Sequence, residues 1–198
     1  MGRFLQSLST PPNSPLHPHR ALVNCVYLWG LRLSRISSGQ ALAEQEHAIY
    51  DRITRHLQLG ESEDDLNKAL QMIQAEILLA TYLFARGRAL EGGYHVNAAV
   101  TMSTMYGMHT IIPQAAGPAG PSNVGAVDAT VEGERVRVFW RVFVLDKCWA
   151  VANNSPALIR DDDRGRIAIN TPWPLQAEHY ESVSITVSVI SSDVIHVP

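Results

Sequence analysis

Residues 70–109, LQMIQAEILLATYLFARGRALEGGYHVNAAVTMSTMYGMH, decide the fold class of this chain. Apolar and small side chains dominate both halves of the stretch, and the break RGR at residues 86–88 separates the halves. Helices joined by so short a connection pack as antiparallel neighbours. The stretch therefore predicts a helical hairpin, with one helix over residues 63–85 and the next over residues 89–108.

Two further helices are predicted before the hairpin, over residues 20–36 and 41–57, and one is predicted after it, over residues 132–152. In the first two, apolar side chains recur at the three- and four-residue spacing of amphipathic helices. Their expected inward positions are Leu22, Val26, Trp29, Leu33, Leu42, Ile49, Ile53 and Leu57, and the expected outward charges of the second are Glu44, Glu46, Asp51, Arg52 and Arg55. The expected fold class is all-α, an irregular bundle of four to six helices.

The two ends of the chain differ in composition from this helical region. Residues 1–19 are rich in proline and are expected to form a flexible leader. The helical domain is expected over residues 20–174. In the tail over residues 175–198, Val183, Ile185, Val187 and Val189 alternate with Ser and Thr. This is a strand pattern, but no second strand is available to pair with it. This tail is therefore expected to be poorly ordered.

Composition excludes several classes of function. The net charge is −3 and no Lys/Arg-rich run occurs, whereas a DNA-binding domain carries a basic patch, so no direct nucleic-acid contact is expected. Cys25 and Cys148 lie far apart without a CxxC pair, which excludes a zinc site built mainly from thiolates. No uncharged apolar run is long enough for a membrane span. Neither a membrane partner nor a cofactor is expected.

No catalytic or metal-binding motif is found in the sequence, and no residue is assigned to either role. The chain is therefore expected not to be an enzyme. Two carboxylates nevertheless stand out because their neighbours at helical spacing are apolar. Glu76 lies among Met72, Ile73, Leu79 and Ala80, and Asp146 lies among Val142, Leu145 and Trp149. A buried carboxylate requires a hydrogen-bond donor.

Glu76 and Asp146 are therefore predicted to be structural polar anchors. The expected partner of Glu76 is Tyr94, Asn97 or an arginine, and that of Asp146 is an arginine, a backbone donor or a helix N-terminus. Lys147 is expected to point outward, because neighbours on a helix point about 100° apart. A candidate effector pocket lies among Tyr94, His95, Trp140 and Trp149, although core packing is the more common role of large aromatic side chains.

The sequence resembles a known family in three blocks and a short motif. The blocks are ALVNCVYLWGLRLS at residues 21–34, the quoted stretch at 70–109, and EGERVRVFWRVFVLDKCWAVANNSPALI at 132–159, followed by TPWP at 171–174. Together they are similar to the fungal-specific transcription factor domain, the middle regulatory region of binuclear zinc-cluster transcription factors. The resemblance implies an all-helical domain that acts in the nucleus, holds transcriptional activity in check, relays effector signals and mediates association.

In this family, DNA recognition belongs to a separate zinc cluster of six cysteines, which this sequence lacks. The implied partners are other transcription-regulatory proteins or a second copy of the chain, with a small-molecule effector as a further candidate. The family domain continues with more helices beyond TPWP, so a truncated domain is expected. Two alternatives stay open: a helical interaction scaffold unrelated to transcription, and an enzyme using Glu76, His95 or Asp146.

Overall fold

The computed structural model describes residues 2–11, 14, 16–34, 40–58, 66–111, 129–160 and 169–176. These residues form the helices α1 (Gly2–Leu8), α2 (Arg20–Leu33), α3 (Gln40–Gln58), α4 (Leu66–Ala85), α5 (Ala89–Met105) and α6 (Ala129–Ala152), with a 3-10 helix, η1, at Met108–Thr110. None of the described residues belongs to a strand. The predicted all-α fold class is confirmed.

The chain divides into two compact units between Met102 and Ser103. The first unit contains α1 to α4 and most of α5, and the second contains η1, α6 and the segments that follow α6. No helix in the described ranges is long and apolar enough to cross a membrane.

A short turn joins α4 to α5, as the break at residues 86–88 predicts. Gly87 has a φ of +73°, its amide donates to the Phe84 carbonyl, and the Arg88 amide donates to the Leu83 carbonyl at 2.9 Å. This pair of bonds closes the end of a helix when the intervening residue is left-handed, a conformation that glycine adopts without strain. Beyond the turn, Gly92 lies against the Phe84 ring, so the two helices run side by side as a hairpin.

The core of the first unit is built by one face of α2, by Ile53 of α3 and by the second half of α4. Its buried members are Ala21, Leu22, Cys25, Leu28, Ile53, Ala75, Leu79, Tyr82 and Leu83. Three bonds hold α2 on α4: the His19 amide donates to Gln71 Oε1, Cys25 Sγ to the Ala75 carbonyl, and Trp29 Nε1 to the Leu78 carbonyl. Phe4 packs against this core, so α1 belongs to the unit.

The buried face of α2 differs from the predicted one. Val26 is 42% exposed and Leu33 73% exposed, whereas Ala21 and Cys25 are buried. Small side chains occupy the contact because α2 approaches α4 within hydrogen-bonding distance, 3.4 Å from Cys25 Sγ to the Ala75 carbonyl. The prediction placed the buried face of α2 at its large apolar side chains, and it was wrong for Val26 and Leu33.

Glu46 was also predicted wrongly. The sequence pattern placed it on the solvent face of α3, but its side chain is buried. Its carboxylate lies 3.4 Å from the Arg86 guanidinium. Burial, and next the negative charge of Glu46, raise the pKa of Tyr82. A charged residue was assigned outward by type alone, whereas its cationic partner comes from the end of α4.

Several helix ends also differ from the predicted bounds. The short helix α1 lies within the leader and was not predicted, and α2 ends at Leu33 rather than at residue 36. The helix α5 ends at Met105, because Gly107 takes a left-handed φ of +64° and η1 follows. The predicted start of α4 near residue 63, the inward position of Leu42 and the tail beyond residue 176 lie outside what the structure describes.

In the second unit, η1 packs against α6, and the segment 169–176 is fastened to both. The Asn170 amide donates to the His109 carbonyl at 2.8 Å. Thr171 Oγ1 donates to the Met108 carbonyl and accepts from the Ile111 amide, and Trp140 Nε1 donates to the Pro172 carbonyl at 2.6 Å. The described residues after α6, 153–160 and 169–176, contain neither helix nor strand.

Candidate functional site

Glu76 and His95 form a buried polar pair in the first unit. Glu76 lies on the apolar half of α4 and His95 on α5, and their side chains are 8% and 7% exposed. His95 Nδ1 lies 2.5 Å from Glu76 Oε2, in a hydrogen bond that the carboxylate accepts. The pair therefore joins the two helices of the hairpin through their interior.

The predicted partners of Glu76 were wrong, because neither Tyr94 nor Asn97 fills this place. Tyr94 is 68% exposed, and Asn97 is also exposed. Successive residues of a helix point about 100° apart, so a register estimate that errs by one position selects a different side chain. His95, the observed partner, lies between Tyr94 and Asn97 in the sequence. It is the titratable residue nearest to them, and this property could have identified it.

Cys25 lies near this pair. Its thiol donates to the Ala75 carbonyl at 3.4 Å, next to Glu76 along α4. Burial raises the pKa of Cys25, and the negative charge of Glu76 raises it further. Both causes favour the neutral thiol, so the surroundings of Cys25 oppose formation of the nucleophilic thiolate.

A second polar cluster joins α3 to the start of α5. The Arg88 guanidinium makes two hydrogen bonds to the Glu91 carboxylate and lies 4.6 Å from the centre of the Tyr50 ring. Tyr50 Oη donates to Glu91 at 3.2 Å. The hydrogen bond from Arg88 lowers the pKa of Glu91. The cluster is solvent-exposed, so its ion pair contributes little to stability.

Asp146 is buried in the second unit and holds the chain that follows α6. Its Oδ1 accepts from the Leu158 amide and its Oδ2 from the Ile159 amide, each at 3.0 Å. The side chain is 2% exposed. Lys147 was expected to point outward. Instead its ammonium group donates to the Ile159 carbonyl and lies over the Phe143 ring. The two residues clamp residues 158–159 against the helix.

The four aromatic residues of the candidate effector pocket occupy different surroundings. Tyr94 is exposed and His95 is buried against Glu76. Trp140 stacks on Trp173, with ring centres 4.2 Å apart and an angle of 11° between the planes. Trp149 lies nine residues further along α6, which places it on the opposite side of the helix from Trp140 at 100° per residue. One face of α6 therefore cannot present both indoles to a ligand.

The chemistry available at the two carboxylates is limited by their contacts. Both oxygens of Asp146 accept backbone hydrogen bonds. Glu76 and His95 make a carboxylate–imidazole pair, but Cys25, the thiol beside them, is held neutral. In the part of the chain that the structure describes, no group of three His, Cys, Asp or Glu side chains could hold a metal ion.

Sequence reasoning also missed Thr171, whose hydroxyl joins the segment 169–176 to η1, and the burial of His19. His19 caps α2 by accepting from the Ala21 amide through Nδ1. Neither position carries a composition signal, since threonine and histidine are common on surfaces. The signal available for Thr171 was its place in TPWP, where the prolines cannot donate backbone hydrogen bonds.

The described residues form an all-α structure, in which buried polar side chains join helices and segments to one another. The family model of the fungal specific transcription factor domain matches residues 2–182. The chain belongs to this family, whose domain is a regulatory region of fungal transcription factors. No curated protein and no solved structure matches the chain at a significant level of similarity.

Proposed function

We propose that this chain is a non-catalytic regulatory domain that controls transcription through contacts with other regulatory proteins or with a second copy of itself, tuned by an effector. The match of the family model to residues 2–182 carries this proposal. In the proposal, DNA is bound by a zinc cluster outside this sequence, and the domain acts in the nucleus.

The contacts of the conspicuous residues support a structural role for them. Glu76 is hydrogen-bonded to His95, and both oxygens of Asp146 accept backbone amides. Both carboxylates are also buried, Glu76 to 8% and Asp146 to 2% exposure, whereas a catalytic group must reach a substrate. We therefore assign Glu76 and Asp146 the role of polar anchors, and we propose that regulation depends on the fold that they maintain.

A reporter assay tests the proposal directly. The chain is fused to an unrelated DNA-binding domain, and transcription from a promoter carrying that domain's site is measured in a fungal host. The expected result is a change in output, either activation or repression, relative to the DNA-binding domain alone. Unchanged output would contradict the proposal and would favour a scaffold unrelated to transcription.

A matched pair of variants shows whether the effect depends on the fold. Leu79 is fully buried in α4, and Leu79→Asp places an unpaired charge in the core. This variant is expected to lose the effect, whereas Asn97→Asp, at an exposed position of α5, is expected to keep it. If both variants match the unsubstituted fusion at equal protein levels, the output does not come from the folded domain.

A further inference from the structure

One face of α6 is open to solvent over about four turns. Residues 137, 141, 144, 148 and 151 are spaced alternately by four and three residues, so they lie along one side of the helix and are called the α6 seam below. Arg137 is partly exposed, and Arg141, Val144, Cys148 and Val151 are exposed. The exposed fractions of the two valines are 56% and 83%, so the apolar part of the seam is uncovered.

A pair of stacked indoles borders the α6 seam. Trp140 lies three residues after Arg137 and four before Val144, so it is next to both on the helix surface. Trp173 stacks on Trp140 with ring centres 4.2 Å apart, and it is 75% exposed. The hydrogen bond from Trp140 Nε1 to the Pro172 carbonyl holds this stack on the helix. An exposed tryptophan is a side chain enriched at protein interfaces.

The charges of the α6 seam have one sign. Arg137 and Arg141 are its charged residues, and neither forms an ion pair with another described residue. In α6 after Glu134, the one carboxylate is that of Asp146, which is buried and accepts two backbone amides. The seam therefore presents two guanidinium groups toward the start of the helix and valine side chains toward its end, without a carboxylate.

This charge pattern favours one kind of partner for the α6 seam. If two identical seams paired, the arginines of each copy would find no acid opposite them, because the seam contains none. Helices that lie on membranes carry large apolar side chains, whereas the apolar residues of the seam itself are valines. A protein surface with carboxylates opposite the arginines and apolar side chains opposite the valines matches the seam in both charge and polarity.

We propose that the α6 seam and Trp173 form a docking surface for an acidic amphipathic helix of a partner protein. Alternating spacings of four and three residues are the pattern by which one helix packs along another. The seam is about 21 Å long, a length that a partner helix of about 15 residues covers. Carboxylates of that helix pair with Arg137 and Arg141, and its apolar side chains cover Val144 and Val151. The inference names the partner chemistry of the proposed function, on which its regulatory meaning rests.

The docking surface is tested with designed peptides. A fluorescent peptide of about 18 residues carries Leu at alternating spacings of three and four, with Glu on both sides of the leucine stripe. One control peptide has Lys in place of Glu, and a second has the same composition in an order that destroys the stripe. Fluorescence anisotropy measures binding to the full chain. The acidic peptide is expected to bind saturably, at least about tenfold more tightly than either control.

Reversing the charge of the α6 seam gives the sharpest comparison. Arg137→Glu/Arg141→Glu is expected to weaken binding of the acidic peptide by about tenfold or more and to gain binding of the lysine peptide. Arg52→Glu/Arg55→Glu, at exposed positions of α3, changes the net charge equally and should leave both affinities unchanged. Circular dichroism checks folding. Should the seam variant not fold, Val144→Glu, which places a carboxylate in the exposed apolar part, takes its place and is also expected to weaken binding.

Four results would overturn the inference. The acidic peptide binds no better than its controls, or the folded seam variant binds it as tightly as the unsubstituted chain. Sedimentation velocity shows a dimer that Val144→Glu converts to a monomer, which would assign the seam to a second copy of the chain. Phosphatidylserine vesicles bind the unsubstituted chain but not the seam variant, which would assign the seam to a membrane surface. Unchanged reporter output would contradict the proposed function and would leave the peptide result intact, so the two can fail separately.

Discussion

At the scale of single residues, buried polar groups impose the strictest requirements on this chain. Glu76 and His95 meet inside the hairpin at 2.5 Å. Removing water from a charged group is costly, and a close partner offsets that cost. Removing one member therefore destabilises the fold more than removing both would, because a lone buried charge is left behind.

His95→Ala is expected to lower the free energy of unfolding by about 3–5 kcal/mol, because the Glu76 carboxylate stays buried without a partner. The double variant Glu76→Leu/His95→Leu should be closer to the unsubstituted chain. Urea denaturation followed by circular dichroism measures both. Asn97→Ala, at an exposed position of the same helix, is the control and should change stability by no more than about 0.5 kcal/mol. A small effect of His95→Ala would show that the pair does not anchor the hairpin.

The two cysteines are expected to react at very different rates. Cys148 is exposed and Cys25 is buried, and burial together with the charge of Glu76 raises the pKa of Cys25. A thiol reagent at mildly alkaline pH should modify Cys148 quickly and Cys25 only after unfolding. Mass spectrometry of the modified protein counts the labels. Rapid labelling of both thiols in the folded protein would contradict the placement of Cys25.

The raised pKa of Cys25 also sets a direction for the pH dependence of stability. The unfolded chain loses the thiol proton near the ordinary value of 9.0, whereas the folded chain retains it to higher pH. The unfolded state is therefore stabilised as the pH rises above that value, and the free energy of unfolding falls. Cys25→Ala should remove this component of the alkaline loss of stability.

At the scale of helices and segments, the close approach of α4 to α5 depends on a glycine. A Cβ at Gly92 would lie 2.1 Å from the Phe84 ring, whereas a Cβ at Gly30 of α2 would meet nothing within 4 Å. Both glycines are inside helices, where alanine is the better helix former. The same substitution should therefore have opposite effects at the two positions.

Gly92→Ala is expected to destabilise the protein by about 1–3 kcal/mol through overpacking, and Gly30→Ala to stabilise it by about 0.5–1 kcal/mol. Thermal and urea unfolding measure the two signs. Phe84→Leu should relieve part of the cost of Gly92→Ala, because it removes the ring in contact. Equal effects at Gly92 and Gly30 would mean that helix propensity alone, and not the contact between α4 and α5, determines the change in stability.

The end of α6 is defined by a left-handed residue and by the Asp146 clamp. Asn154 has a φ of +51°, the Asn154 amide donates to the Val151 carbonyl, and the Ser155 amide donates to the Ala150 carbonyl. This is the pattern that turns the chain out of a helix. Asp146 then holds the amides of Leu158 and Ile159, so the returning segment depends on a carboxylate two turns earlier.

Asp146→Ala is expected to cost about 2–4 kcal/mol, since two hydrogen bonds to a charged acceptor are lost. Trypsin should also cleave faster after Arg160, which is exposed at the end of the clamped segment. Limited proteolysis with mass spectrometry follows that cleavage. Cys148→Ala, an exposed neighbour on the same helix, should leave both stability and cleavage unchanged. If Asp146→Ala is cleaved no faster, the carboxylate does not hold this segment.

At the scale of the whole molecule, charge bears on the function. The chain has 16 Lys and Arg against 19 Asp and Glu, a net charge of −3. Phosphate backbones attract proteins through basic surfaces, and this term accounts for nearly all non-specific binding to DNA. A regulatory domain with this composition is expected to act beside a DNA-binding domain without adding DNA contacts of its own.

Fluorescence anisotropy with labelled duplex DNA checks this expectation. At physiological salt the chain should show no binding tighter than about 100 µM, the weak end of the non-specific range. The reporter fusion described above, with a duplex carrying its own site, is the positive control. Saturable binding by the chain alone that weakens with added salt would contradict the expectation.

The fold class was predictable from the sequence because helical periodicity and the RGR break are local signals. The hairpin, the apolar second half of α4 and the apolar neighbours of Glu76 and Asp146 were all readable along one element. The candidate sites were less predictable. A small error in the predicted register selected Tyr94 and Asn97 instead of His95 as the partner of Glu76. Residue type alone also could not show that Tyr94 is exposed, because tyrosines occur both buried and exposed.

The sequence by itself determined the all-α class, the hairpin and the resemblance to its family, since each of these depends on the order and spacing of residues. The tertiary structure alone decided which polar groups meet. It buried Glu46 beside Arg86, joined Glu76 to His95, and brought the amides of Leu158 and Ile159 to Asp146. These contacts join residues distant in sequence, and the angle and register between packed elements, which no local pattern encodes, select their partners.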